Sequence, residues 1–221
     1  MLNDIYNKLL NDKRIKKIYD DIEKIEDKNG GWAYHNYSHV SNVTLLSSNI
    51  LLSLNCSEEE ILKTKIACLF HDVGALEGKD NHAYRSYEFT KKYFLDNNIY
   101  FDGIDDVLEA IRIHSDGFDT NNIIALSLIL ADKLDIKKTR ITKEGAKVIG
   151  NRQYSHIDDI LINILDNCFI INFITDNNFN IKEFNDYYFT KKVFNAVKSF
   201  SNKMNLNYKI LINNNEMIRE K

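Results

Sequence analysis

Histidine and aspartate side chains supply both the ligands and the proton-transfer groups of metal-assisted hydrolysis. In this chain of 221 residues five of the six histidines fall within the first 114 positions. In YHNYSHVSNV (34–43), His35 and His39 are four apart, so on a helix they share one face. His39 continues into Val43, Leu46 and Ile50 at helical spacing and should point toward a core. Such a histidine standing alone is more often a hydrogen-bonded core residue than a ligand. ACLFHDVG (67–74) places His71 and Asp72 side by side, an imidazole and a carboxylate from one short segment. Alone, that dipeptide also fits an ordinary helix C-terminus before Gly74. In VLEAIRIHSDGF (107–118), His114 lies seven after Val107 and three after Ile111, again on the buried stripe. In IIALSLILADKLDI (123–136), Asp132 lies four after Leu128 and eight after Ile124. A carboxylate there faces the core, where an unpaired charge costs on the order of several kcal/mol or takes up a proton, so it asks for a metal or an arginine. His82 follows Asn81, a candidate N-cap, whereas His156 has no such company.

The elements that must position these groups read as helices through about residue 166, broken by short polar turns, with no repeat or low-complexity linker. Ser57 and Glu60 form the S-x-x-E pattern of a capping box ahead of Ile61, Leu62, Ile66 and Leu69, a helix expected to end near His71. After Asn167 the texture changes. CFIINFIT (168–175) is β-branched and aromatic, DNN follows as a turn, and FNIKEF (179–184) alternates apolar with polar, which predicts a hairpin. A helix carrying Val193, Val197, Phe200 and Met204 on one stripe and a strand-like NYKILIN (207–213) complete the chain. The expected architecture is mainly α: a helical domain over 1–166 and a small α/β appendage over 167–221, of hairpin, helix and strand, with a three-stranded sheet packed on the helices.

Composition narrows the function classes. The apolar share of 44% and charged share of 28% are those of an ordinary soluble domain. A formal charge of -3 and an isoelectric point near 6.1 give no long-range attraction for a phosphate backbone, so duplex nucleic acid is not expected as a partner. The three cysteines, Cys56, Cys68 and Cys168, are far apart and odd in number, which fits a reducing compartment. The amphipathic start MLNDIYNKLLNDKR does not read as a signal peptide, and no apolar run is long enough to span a bilayer. A cytoplasmic protein off the membrane is expected, able to form a homo-oligomer. Abundant asparagine without proline hints at an AT-rich bacterial gene.

The order H(39), HD(71–72), H(82), H(114), D(132), with the phrases YHNxxH, ACLFHDVG and LILADKLD, resembles the HD-domain superfamily of metal-dependent phosphohydrolases over roughly residues 30–140. The resemblance implies an all-helical bundle with His39, His71, Asp72 and Asp132 on one divalent metal. His82 and His114 resemble the additional ligands of binuclear members, including bacterial symmetrical diadenosine tetraphosphate hydrolases, and Asp72 would then bridge two ions. YHNYSH also resembles the start of the cyclic-nucleotide phosphodiesterase catalytic domain, which casts His35 as general acid, one helical turn before His39. Departures narrow the assignment. HDVG lacks the acidic pair that follows the dipeptide in alarmone hydrolases and the second histidine of the cyclic-nucleotide motif, and no GYP tripeptide occurs.

The implied activity is hydrolysis of a phosphoester or phosphoanhydride, of a nucleotide or a related small molecule, by metal-activated water. A mixed imidazole and carboxylate set suits manganese, iron, cobalt, nickel or zinc, as one or two ions. Lys79, Arg85, Lys133 and Arg140 lie near the motif and could clamp substrate phosphates, although a solvated helix face explains each equally well. Two other readings stay open: an HD-fold di-iron oxygenase with the same ligand order, and a metal-binding regulatory module whose appendage takes a partner.

Overall fold

The computed structural model describes residues 1–217. Seven helices come first: α1 (Leu2–Leu10), α2 (Lys13–Asn29), α3 (Tyr37–Ser53), α4 (Glu58–Phe70), α5 (His82–Asp96), α6 (Ile104–Ile113) and α7 (Ile123–Leu134). Helix α7 is their centre, packing against α3, α4 and α6, and its residues from Ile124 to Ala131 are all buried. The helix starts follow capping chemistry. Asp12 accepts from Arg14 N, Asn122 from Ile124 N and Ala125 N, and Ser57 and Glu60 form the expected capping box. As expected, α4 ends at Phe70, with His71 as its cap.

Short 3₁₀ turns between 138 and 156 lead into a four-stranded sheet: β1 (Ile157–Leu165), β2 (Cys168–Thr175), β3 (Asn207–Ile212) and β4 (Asn215–Glu216), in the order β1-β2-β3-β4. The hairpin differs from the expected one. β2 pairs antiparallel with the preceding β1, Ile162 opposite Ile171, through a turn at Asp166 and Asn167, both with positive φ. β1 reads as helix because five of its six apolar residues, 157, 160, 161, 164 and 165, fall at helical intervals. The segment expected to return as a strand is instead α8 (Ile181–Asp186), since the Asn180 side chain accepts from Glu183 N and starts a helix. With α9 (Tyr188–Lys203), α8 forms the crossover that a parallel pair requires, and β2 and β3 are indeed parallel, Ile171 opposite Ile210. The expected division at 166/167 coincides with the β1–β2 turn. One apolar cluster runs from Leu9 and Ile15 through α7 to Phe169, Phe173, Phe200 and Ile210. Helix α9 rests on α7, and β1 on α3.

Among the described residues, no helix is long and apolar enough to cross a membrane.

Candidate metal centre

The ends of five helices deliver the histidines and aspartates to one place. His39 stands in the first turn of α3, which begins at Tyr37 because the Asn36 side chain accepts from His39 N at 3.0 Å. His71 and Asp72 follow the last turn of α4, His114 caps α6, His82 opens α5, and Asp132 lies in the last turn of α7. His39, His71, Asp72 and His114 are buried, and His82 and Asp132 are partly open.

Each imidazole is locked by its other nitrogen. Nδ1 of His71 lies 2.8 Å from the Cys68 carbonyl, that of His82 2.7 Å from the Lys79 carbonyl, and that of His114 2.8 Å from the Ile111 carbonyl. His39 Nδ1 lies 2.7 Å from Asp135 Oδ2. Carbonyl and carboxylate oxygens only accept, so all four Nδ1 atoms donate and the four Nε2 atoms present lone pairs. Those lone pairs converge. His39 and His71 Nε2 are 3.3 Å apart, and His82 and His114 Nε2 are 3.0 Å apart. Asp72 stands between the two pairs: its Oδ2 is 3.3 Å from His39 Nε2 and 3.1 Å from His71 Nε2, while its Oδ1 is 3.3 Å from His82 Nε2 and 3.4 Å from His114 Nε2. Asp132 Oδ1 completes the first group, 3.2 Å from His39 Nε2.

This is a fit for metal. Bonds of about 2.0–2.2 Å to nitrogen and oxygen place neighbouring ligand atoms about 3–3.5 Å apart, the spacing seen here. Asp72 Oδ2 is buried without a hydrogen-bond partner, an orphan that an ion would satisfy. His39, His71, Asp72 and Asp132 form one group able to hold an ion, and Asp72, His82 and His114 form another. The electrostatics repeat the demand for positive charge. Burial opposes protonation of His39, yet the carboxylates of Asp132, Asp135 and Asp72 beside it raise its affinity for positive charge well above the usual range. Burial also opposes ionisation of Asp72, but the surrounding imidazoles hold it well below the usual carboxylate range. Burial pushes His114 down.

Gly74 fixes the spacing between the groups. A Cβ there would meet the His82 carbonyl oxygen at 2.4 Å and Ser86 N at 2.5 Å, so the turn after Asp72 rests directly on the start of α5. Gly74 N donates to Ser86 Oγ, and Arg85 Nε donates to the Gly74 carbonyl.

Several sequence expectations need correction. His35 is not on a helix with His39. It precedes the cap Asn36, and its backbone N and Nδ1 both face the buried Glu26, at 2.7 and 2.5 Å. Its ring still stands 5.8 Å from that of His39, centre to centre, and lines the cavity over the cluster. Asn81 sits at the α5 cap position with positive φ and makes no side-chain capping bond. Arg85 is spent on structure, its guanidinium donating to the carbonyls of Gly74, Gly78 and Asp80. Lys79, Lys133 and Arg140 do line the cavity, with Arg140 Nη2 3.8 Å from Asp132 Oδ1. His156 pairs with Asp176 at the surface.

Glu26 and Asp135, the partners of His35 and His39, escaped sequence reasoning. Asp135 carried a signal, a second carboxylate three residues after Asp132 in ADKLD; Glu26, on α2, carried none.

Residues 36–137 match the family model of the HD domain. No curated protein sequence matches the chain. Among solved structures, a predicted HD superfamily hydrolase from an uncultured Thermotogales bacterium is similar at 23% identity and a TM-score of 0.44, over 61% of this chain and 80% of that one. The matched segment opens at the cap residue Asn36 and closes just past Asp135, so it contains every residue of the two ligand groups. Over that segment, a little under half of its length, the chain is similar to the HD-domain family.

Proposed function

We propose that the chain is a metal-dependent phosphohydrolase acting on a phosphoester or phosphoanhydride of a small molecule, a nucleotide or a relative of one. The observation that carries this reading is Asp72, whose two oxygens each face a pair of bare imidazole nitrogens, the arrangement of a carboxylate shared by two ions. His39, His71, Asp72 and Asp132 would hold one divalent ion, and Asp72, His82 and His114 a second. When bound, such ions bring the pKa of water toward neutrality and offset charge on phosphoryl oxygens.

The chain's own groups do the rest. Lys79, Lys133 and Arg140, on the cavity wall beside the ligands, receive the non-reacting phosphate oxygens. His35, held through Nδ1 by Glu26, turns its other nitrogen to deliver a proton to the departing oxygen. Three free cysteines suit a reducing cytoplasm.

The test is metal content and turnover together. Purified protein supplied with manganese is expected to bind up to two ions and release phosphate from phosphoesters, and His71→Ala or Asp72→Ala to lose both. Full metal occupancy in the double variant sinks the ligand assignment. Iron-dependent oxygen uptake without phosphate release sinks the hydrolytic one.

A further inference from the structure

The cavity over the ligand cluster, 360 Å³ in volume, is walled in part by residues from outside the matched HD segment. On one side stands Trp32, the chain's single tryptophan, 46% exposed although its backbone is pinned. The Trp32 carbonyl accepts from Thr142 N and Asn151 Nδ2, Ala33 bridges to Ile141, and a Cβ on Gly145 would lie 2.0 Å from the Trp32 oxygen. The indole is thus presented on a fixed support. From the C-terminal part, the start of α9 contributes Tyr187, Tyr188, Phe189 and Lys192. Tyr187 is buried against Tyr154 and so close to Gly150 that a Cβ there would lie 2.5 Å from its ring. Its neighbour Tyr188 is 52% exposed, with Lys192 Nζ 5.4 Å from its ring centre. Three ammonium groups line the same cavity, Lys79, Lys133 and Lys192, and none forms an ion pair among the described residues.

We infer that Trp32 and Tyr188 form a ring-binding clamp, so that the substrate is a phosphorylated compound carrying a planar heterocycle, its phosphate at the ligand cluster and its ring against the aromatic wall. A flat π-face is recognised by stacking whatever its substituents, and the unpaired ammonium groups favour a ligand anionic along its length. The start of α9 is thereby the specificity-determining element of a site whose ligands lie in the HD segment. The inference rests on the hydrolase reading for the position of the phosphate, but not for recognition of the ring.

The single tryptophan supplies a readout independent of turnover. With magnesium present, adenosine 5′-monophosphate is expected to quench Trp32 fluorescence on rapid mixing, and ribose 5-phosphate, of the same charge without a ring, is not. In phosphate release the nucleotide should have a KM about tenfold lower than the sugar phosphate, the scale of one stacked base. Tyr188→Ala should erase that preference and Tyr188→Phe should restore it. Equal KM values for the two compounds, an undiminished preference in Tyr188→Ala, or no quenching at millimolar nucleotide overturns the clamp. Quenching by the nucleotide without phosphate release from either compound retires the hydrolase reading and leaves ring recognition standing. Release from both with equal KM does the reverse.

Discussion

His39 shows what a residue in this site needs beyond its type. Its Nε2 is turned into the cluster because Nδ1 faces Asp135 at 2.7 Å, which is itself buried and fixes the ring. Asp135→Asn is therefore expected to weaken metal binding about 10- to 100-fold while the fold persists, read by competition with a chromophoric chelator. Unchanged affinity would leave Asp135 a packing residue. Of the candidate ligand set, the residue types and their order could be read in the sequence, and so could the core-facing stripe on which His39, His114 and Asp132 lie. The partners were not. Glu26 and His35 are nine residues apart and meet because α2 and the loop before α3 fold back on each other, which no local period encodes. That correction keeps His35 beside the cavity with a fixed ring. His35→Asn is expected to keep its metal and lose about 10²- to 10⁴-fold in rate on alkyl phosphoesters, but much less on p-nitrophenyl phosphate, whose leaving group needs little protonation. Equal losses on both esters, or lost metal, remove the acid role.

At the scale of elements, the capping chemistry was the most legible signal and also the one whose neglect produced the error. Ser57 with Glu60 starts α4 by a capping box as expected, and the Asn180 side chain alone starts α8, accepting from Glu183 N, where alternation of apolar residues suggested a strand. β1 failed for the opposite reason, an apolar interval of three and four in a segment whose pairing partner lies downstream. Glu183 also ties α8 to the 3₁₀ turn before the sheet. Its carboxylate accepts from Gly150 N at 2.8 Å and from both Arg152 Nε and Nη2, at 2.7 and 2.6 Å. Those bonds, the arginine's first, lower its pKa from 4.5 to about 2. A depressed carboxylate value means stability that is present above pH 4.5 and lost as pH falls toward 2. Glu183→Gln is expected to cost about 1.5–3 kcal/mol at neutral pH, as for hydrogen bonds to a charged group. The gap between variant and parent should close between pH 4.5 and 2 in urea melts. A gap that stays constant over that range would place its origin in packing.

For the whole molecule, the continuous core and the charged cluster set a balance between folding and metal. Four lone pairs and two carboxylates brought together are a burden to the apo fold that a bound ion relieves. Metal at about 100 times its dissociation constant should add about 2.7 kcal/mol, a rise in melting temperature of about 5–10 °C for a chain of this size, and a strong chelator should reverse it. A chelator-insensitive melting temperature would show that folding and metal are uncoupled. The general plan, helices first and a small α/β part after them, could be read in advance; the way the two parts share a core could not, because it depends on α9 lying on α7. That contact has a consequence for descent. Helix α7 carries Asp132 and Lys133 in its last turn and α9 on its flank, so the C-terminal segment is not exchangeable as a free-standing cassette. An incoming helix must match the side of α7 it lands on.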